Sequence, residues 1–372
     1  MPHIIPPVRT VHSRRCVVSD NRHPSQSRTL RTVLPFVVSF VLFLAIPAPL
    51  ASAASDLGAA KGFAVLSSSG DVSLKNRVNI AAVSVSGSVT CPGATGCPAN
   101  MGGTTVLMGR GNASAPDTVG GDVIGSVSSP QGLNCAGNPP GTTTICLGND
   151  SEIAGQCITG GGAVSSPSEC AGGTDTSGTN PKLTTTYVQA GTDAASFSAN
   201  LAGLAATQSL PAVTLGSHGT TTISGGAGVN VVALPSITTG TKATITISAG
   251  ATEFLIVNVG TSTDPGSLQL GNGASVVLSG GITPDHVIFN LIGAGTTAQL
   301  GNDTVFNGTI LAPQGQFTSG DGNTPSPVLI NGSLLFGGSV SIGNNTNLNF
   351  YPFAGTGGGS SGGSSGSSSS AS

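Results

Sequence analysis

The chain has no tryptophan, only two tyrosines and three methionines, and only 7% of its 372 residues are charged. The six Lys and Arg residues after residue 53 are scattered, so they form no basic patch of the kind that binds nucleic acid or anionic lipid. The two histidines in that part, His218 and His286, stand in sequences typical of a turn and of a strand entrance. Because catalysis needs a cluster of nucleophile, base or metal ligands, we predict a chain that is not an enzyme and has no nucleic acid partner.

Glycine is abundant, with 57 residues, and Val, Ile, Leu and Thr alternate with small polar residues along much of the chain. Alternation with a period of two is typical of strands with one buried face. A hydrophobic content of 38% supplies enough apolar area to order the chain, which argues against general disorder. We predict one all-β domain over residues 54–353, followed by a disordered Gly/Ser tail at 354–372.

The first 53 residues have the pattern of a leader with a signal peptide. Six Arg residues precede the apolar run 33–50, and residues 51–53, Ala-Ser-Ala, suit a cleavage site. Cleavage would leave six basic and fourteen acidic residues, a net charge of −8. The alternative is a membrane anchor, because the apolar run is about long enough to span a bilayer. We predict cleavage and a secreted, extracellular protein, with no membrane segment, that acts in the medium or at the cell surface.

Two copies of an Asn-Gly corner mark the C-terminal part of the chain. Asn307 and Asn331 each precede a glycine and stand 24 residues apart, and a fixed interval of this size is typical of stacked coils. Two further segments, 254–259 and 287–292, are nearly continuous apolar runs, as in strands buried on both faces. We predict a right-handed β-solenoid, or β-helix.

One segment, residues 192–208, departs from the strand pattern. Its apolar residues recur at helical intervals, at Phe197, Leu201 and Leu204. Thr192 or Asp193 is available as an N-cap. We predict one accompanying α-helix there, with its apolar stripe on the side of the solenoid.

Six cysteines follow the leader, all in a Gly/Pro/Ser-rich region: Cys91, Cys97, Cys135, Cys146, Cys157 and Cys170. An even number in an exported chain predicts disulfides, and we expect sequence neighbours to pair. No Cys-x-x-Cys occurs and the nearest histidine is His218, which argues against zinc. We predict a loop-rich, cysteine-containing insertion at 91–180 and no metal or cofactor.

Paired threonines recur after residue 219. If the coils aligned them, they would present regularly spaced methyl and hydroxyl groups that could match an ice lattice. The alternative is that Thr is simply a good strand residue on a solvated face. The candidate ice-face residues are Thr220, Thr222, Thr244, Thr246, Thr261 and Thr263.

The order of these features resembles the secreted choice-of-anchor A domain, a family of bacterial adhesins. Residues 254–260 resemble its apolar strand ending in Asn-Val-Gly, and residues 308–313 resemble its Gly-x-hydrophobic-Leu-Ala-Pro strand. Residues 57–66 are similar to the opening of bacterial and fungal ice-binding β-solenoids, and residues 300–312 to their final coils. Both resemblances imply a solenoid, and the second implies three faces with a helix alongside.

The predicted function is that of a secreted, non-enzymatic domain, adhesin-like or part of the extracellular matrix. Its partner would be a glycan, a matrix protein or an ice surface. Ice binding is the alternative function. A polysaccharide-degrading solenoid enzyme is less favoured, because the acidic residues are scattered rather than paired.

Overall fold

The computed structural model describes residues 56–82, 100–103, 106–109, 116–126, 143–148, 150–323 and 325–355. These residues all belong to one compact unit. The predicted leader at 1–53, most of the predicted tail, and Cys91, Cys97 and Cys135 lie outside the described residues. No helix within the described ranges is long and apolar enough to cross a membrane.

The described strands, numbered in chain order, form three sheets whose strands pair in parallel, which we name sheets A, B and C. Sheet A contains β1 (Phe63–Ser67), β4 (Asn100–Gly103), β7 (Val123–Gly125), β10 (Cys157–Thr159), β12 (Thr174–Asp175), β13 (Gln208–Ser209), β16 (Val229–Leu234), β19 (Phe254–Val259), β22 (Val287–Leu291), β25 (Thr309–Ala312) and β28 (Leu334–Phe336). Sheet B contains β2 (Val72–Leu74), β5 (Val106–Met108), β8 (Thr143–Cys146), β11 (Ala163–Val164), β14 (Val213–Leu215), β17 (Ser236–Thr239), β20 (Ser267–Leu270), β23 (Thr297–Leu300), β26 (Gln316–Ser319) and β29 (Val340–Ile342). Sheet C contains β3 (Val78–Ala82), β6 (Asp117–Val119), β9 (Ser151–Ile153), β15 (Thr220–Ser224), β18 (Thr244–Ser248), β21 (Ser275–Ser279), β24 (Val305–Asn307), β27 (Val328–Gly332) and β30 (Thr346–Phe350).

The core is the interior of this three-sided β-solenoid. Apart from β12 and β13, successive strands of the chain lie in different sheets, so one complete coil supplies one strand to each sheet. Because side chains alternate along a strand, each strand sends every second residue inward, and parallel register stacks these residues from coil to coil. One such row in sheet A consists of Val257, Phe289, Ile310, Leu334 and Val65, all fully buried.

The coils are not stacked in chain order. β1 lies between β4 and β28, and β3 lies between β6 and β30. The first coil therefore joins the last coil in the middle of the solenoid, and the chain reaches the two ends at β12 and β13. The region predicted as a loop-rich insertion supplies β4 to β12, so its described parts are built into the three sheets.

The predicted accompanying helix is present, but it begins earlier than expected. A π-helical turn, Lys182–Tyr187, leads directly into α1, Val188–Ala202. The start is set by Asn180, whose Oδ1 accepts a hydrogen bond from Lys182 N at 2.9 Å. The run of β-branched residues from Thr184 to Thr186 has low helix propensity, so this earlier start was not predicted from the sequence. The helix ends at Ala202, not at 208.

Asp193 is therefore not an N-cap. It lies within α1, and its Oδ2 accepts a hydrogen bond at 2.7 Å from Ala59 N. Ala59 belongs to the first of three short 3₁₀ helices, Gly58–Gly62, Pro167–Glu169 and Pro284–His286. The Asp193 carboxylate thus attaches the start of the domain to the middle of the helix.

Helix α1 lies on the outer side of sheet A, which is why that sheet is apolar on both faces. Ile256 and Ile288 face the helix and pack against Phe197 and Leu201 in a fully buried second cluster. Their strand neighbours, such as Val257, face the interior. This confirms that the two apolar runs form strands buried on both faces, although the second strand, β22, ends at Leu291 rather than at 292.

Candidate binding faces of the solenoid

Within the part of the chain that the structure describes, sheets B and C present an open outward surface, whereas α1 lies on sheet A. Adjacent strands of a sheet are about 4.7–4.9 Å apart, and alternate residues on one strand are about 6.6 Å apart. Outward side chains in register therefore form a two-dimensional array. The array on sheet C contains most of the predicted ice-face threonines.

Four of the six candidate threonines lie together at one end of sheet C. Thr220 is in register with Thr244, and Thr222 with Thr246. The pair on β15 is exposed and the pair on β18 is half-buried. Thr244 Oγ1 lies 3.2 Å from Ser275 Oγ on the next strand. Beyond that strand the row continues with Val305 and Leu329, so the hydroxyl series stops after three coils.

The other two candidates, Thr261 and Thr263, do not join this row. They lie in the turn that follows β19, between sheets A and B, with their hydroxyl oxygens 3.3 Å apart. Thr261 Oγ1 also accepts a hydrogen bond at 3.0 Å from Asp264 N. Local turn chemistry accounts for both residues.

The middle of sheet C carries a row of asparagines. Asn349 Nδ2 donates to Asn331 Oδ1 at 2.8 Å, and Asn331 Nδ2 donates to Asn307 Oδ1 at 2.8 Å. Asn307 Nδ2 donates in turn to Val276 O at 2.7 Å. Asn307 and Asn331 are register partners at the corners between sheets C and A, as the repeated Asn-Gly pattern predicts. These amides bond to one another along the solenoid axis.

The sequence patterns did not identify the longest uninterrupted row of uncharged polar residues among the described strands, which lies on the outward face of sheet B. Its main row joins seven consecutive strands in register: Thr214, Thr238, Gln269, Gln299, Thr318, Ser341 and Ser73. A second row consists of Ser236, Ser267, Thr297 and Gln316. The first five residues of the main row are exposed, and the seven strands contain no charged residue. We call these two rows the sheet B face.

Closely packed glycines hold the coils in register beside this face. A glycine follows most strands of sheet B, and five of them are Gly240, Gly271, Gly301, Gly320 and Gly343. A Cβ on Gly271 would lie 2.5 Å from the carbonyl carbon of Gly240, and one on Gly301 would lie 2.6 Å from that of Gly271. Only glycine permits this approach of one backbone to the next. This strand-then-glycine pattern is the signal that could have located sheet B in the sequence.

The residues that follow these glycines form hydrogen bonds with the neighbouring coil. Asn302 N donates to Asn272 Oδ1 at 3.0 Å, and Asp321 N donates to Asn302 Oδ1 at 2.9 Å. Asp321 Oδ1 accepts from Asn344 N at 2.9 Å and from Lys75 Nζ at 3.1 Å. These hydrogen bonds, with that of Asn344 first, lower the pKa of Asp321. Asp321 is thus a corner residue.

The two histidines of the described domain, His218 and His286, are accounted for by local structure. His218 occupies a left-handed turn position, with φ of 59°. His286 stacks on Phe254 with ring centroids 4.4 Å apart, and its Nδ1 lies 3.2 Å from Asp285 Oδ1. Burial would raise the pKa of Asp285, but hydrogen bonds from His286 and Thr283 lower it overall. Within the described ranges, no three His, Cys, Asp or Glu residues come together as a metal site.

Cys157 and Cys170 form a disulfide. Cys157 lies on β10, and Cys170 forms an isolated parallel bridge with Ile153 next to sheet C. Cys146, at the end of β8, is also disulfide-bonded.

No curated protein matches the chain. Among solved structures, the chain is similar to an ice-binding protein from the Antarctic ascomycete Antarctomyces psychrotrophicus, with 18% identity and a TM-score of 0.44 over 80% of this chain and 98% of that one. It is similar to an ice-binding protein from an Antarctic biological consortium, with 14% identity and a TM-score of 0.43 over 80% and 90% of the two chains. An ice-binding protein from an Arctic yeast gives 14% identity and a TM-score of 0.41 over 80% and 94%.

The family comparison covers nearly all of the described domain. The family described as "Putative Ice-binding-like adhesive domain" matches residues 56–350. That range begins just before the first 3₁₀ helix and ends with β30. Because the match extends over well more than half of the sequence, the chain belongs to this ice-binding-like adhesive family.

Proposed function

We propose that this domain acts outside the cell by binding ice, and that the sheet B face is the surface that binds. The observation that carries the proposal is the uncharged, in-register main row across seven consecutive strands. Membership of an ice-binding-like family supports the same ligand. Ice is a rigid, repetitive and uncharged solid, so a flat and repetitive array suits it better than a concave pocket.

Two physical features favour sheet B over sheet C as the ice-binding face. Its main row is exposed over five strands, whereas most outward residues of sheet C are half-buried. The Thr/Ser row on sheet C is interrupted by Val305 and Leu329. The Thr side chains of the sheet B face have a branched Cβ that limits their rotamers, and the register partners Gln269 and Gln299 carry amides that can bond along the row. Less side-chain freedom is lost when such a surface binds.

The direct test is to grow a single ice crystal in the purified, oxidised protein and to measure thermal hysteresis. The proposal predicts faceted crystals and a hysteresis gap that increases with protein concentration. Round, unshaped crystals and no gap at the highest soluble concentration would contradict it. Serum albumin at equal mass concentration controls for non-specific effects of protein.

Adhesion is the second candidate, because the family is also described as adhesive. The choice-of-anchor A resemblance supports attachment of the producing cell to a glycan or a matrix protein. The family is described by binding rather than catalysis, and we propose no enzymatic activity. A solid-phase binding screen against glycans and matrix proteins tests this candidate, and retention of none of them would contradict it.

A further inference from the structure

A groove of about 650 Å³ lies on the outer side of sheet C, at the opposite end from Thr220. Its floor is formed by β3, β6 and β9, and the 3₁₀ turn Pro167–Glu169 forms one wall. Two rows of residues cross the floor. One contains Asn79, Thr118 and Glu152, which are in register.

The second row consists of small residues, which lower the floor of the groove. It contains Ala81, Gly120 and Ala154, where the neighbouring coils carry Asn349 and Asn331. The short side chains leave a trough beside the polar row. Backbone hydrogen bonds from Gly120 N to Ile80 O at 2.8 Å and from Ala154 N to Val119 O at 2.9 Å hold the floor together.

The wall is fixed from inside the solenoid. The turn Pro167–Glu169 and Cys170 take the position that a further strand of sheet C would occupy, since Cys170 bridges to Ile153 and Ala171 N donates to Ile153 O at 2.9 Å. The disulfide from Cys170 to Cys157 ties this segment to sheet A across the core. The wall is therefore held in place before any ligand arrives, which reduces the cost of binding.

The polar groups of the groove are suited to hydroxyl-rich ligands. Asn79 supplies an amide and Thr118 a hydroxyl, and Thr118 Oγ1 donates to Asn79 Oδ1. Glu152 and Glu169 supply carboxylate oxygens, which accept hydrogen bonds only. No Lys or Arg is among the described residues that line the groove. Among these lining residues, an anionic ligand would therefore meet like charge and no cationic partner.

We infer that this groove binds a segment of a neutral saccharide chain, with the sugar lying over Ala81 and Ala154 and its hydroxyls donating to Glu152 and Glu169. A small number of placed polar groups above a shaped floor is the usual composition of a small-molecule site. The groove is separate from the sheet B face, so saccharide binding there is a function in addition to ice binding. It would identify neutral saccharides as the ligands for the proposed adhesion.

The test uses the oxidised protein and neutral hexasaccharides of glucose, mannose and galactose, with an oligoglucuronate of equal length as the anionic probe. Isothermal titration calorimetry should show binding of at least one neutral probe and none of the oligoglucuronate. Ala154→Leu fills the trough and should weaken binding at least about tenfold, and Glu152→Ala should do the same. Thr222→Leu, at the other end of the same sheet, is the matched control and should bind like the parent.

Circular dichroism melting of each variant shows whether it is folded, because Ala154 and Glu152 are exposed and their replacement should leave the fold intact. Absence of binding to every neutral hexasaccharide at millimolar concentration would overturn the inference. Equal binding by the parent and Ala154→Leu would also overturn it. An oligolysine peptide that binds in place of the saccharides would assign the groove to a basic protein segment instead. Thermal hysteresis should be the same in all these variants, which separates this outcome from that of ice binding.

Discussion

Asn290 Nδ2 donates a hydrogen bond to Asn258 Oδ1 at 2.9 Å, beneath helix α1. Asn290 also accepts from Ser198 Oγ at 2.6 Å, and Asn258 Nδ2 donates to Leu201 O at 2.7 Å. Both asparagines are buried in otherwise apolar strands. The pair therefore fixes the C-terminal half of the helix to sheet A, at a point where buried polar groups must find partners.

Replacing Asn290 by Ala should destabilise the domain. The change removes three hydrogen bonds and leaves the amide of Asn258 and the hydroxyl of Ser198 with fewer partners in a buried site, so we expect a loss of about 2–4 kcal/mol. Asn347→Ala, on the outward face of sheet C, is the matched control and should change the free energy of unfolding by less than about 1 kcal/mol. Urea unfolding followed by circular dichroism measures both. Equal losses in the two variants would contradict the anchoring role.

The corner glycines should tolerate no side chain. Gly271→Ala places a Cβ 2.5 Å from the carbonyl carbon of Gly240, so the coils must separate, and we expect a loss of at least about 2 kcal/mol. Gly216→Ala, at the corresponding corner of the end coil, has open space around the new Cβ and should be neutral or slightly stabilising. Thermal melting of the two variants decides this, and a stable Gly271→Ala protein would show that the coils are not held at this spacing.

Loss of the Cys157 to Cys170 disulfide should weaken the end of the solenoid. The two residues are 13 positions apart, and closing a loop of that size contributes about 3 kcal/mol through the unfolded state. The double variant Cys157→Ser with Cys170→Ser should therefore unfold at lower urea concentration than the oxidised parent. Identical midpoints would contradict the contribution.

Stability should fall as the pH rises through the range in which Asp117 ionises. Its Oδ1 accepts a hydrogen bond from Val78 N at 2.7 Å, and its Oδ2 has no partner among the described residues. Burial raises the pKa of Asp117 to about 6, although backbone hydrogen bonds from Val78 and Arg77 partly oppose it.

Because this pKa is higher in the folded protein than in the unfolded chain, the stabilising contribution of Asp117 is complete below about pH 4 and is lost by about pH 6. The expected loss is on the order of 2–3 kcal/mol. Urea unfolding between pH 4 and pH 8 should show this step in the parent and not in Asp117→Asn. A step of equal size in both proteins would assign it to another group.

Local chemistry made part of the fold predictable. The corners at Asn307 and Asn331 need only a turn dipeptide, and the strands 254–259 and 287–292 need only their apolar runs. The coil order could not be read in the same way, because β1 pairs with β28, more than 260 residues away. The start of the helix was hidden for a different reason, since its first turns are rich in Thr and depend on Asn180.

The sheet B face was missed because the coils differ in length. The glycines that follow its strands stand at intervals from 19 residues, between Gly301 and Gly320, to 31 residues, between Gly240 and Gly271. A search for a fixed period does not detect such a series. The ice face was instead predicted at the threonine pairs. Four of these threonines lie on sheet C, and the other two, Thr261 and Thr263, lie in a turn.

Ice binding through the sheet B face is tested most directly by the thermal hysteresis of two matched variants beside the parent. Thr238→Tyr with Thr318→Tyr places two bulky rings in the main row of the sheet B face, and Thr222→Tyr with Thr246→Tyr places two on sheet C. If the sheet B face binds ice, the parent shows a hysteresis gap that the first variant loses almost entirely and the second retains. Loss of the gap in the second variant alone, or no gap in the parent, would contradict ice binding through the sheet B face.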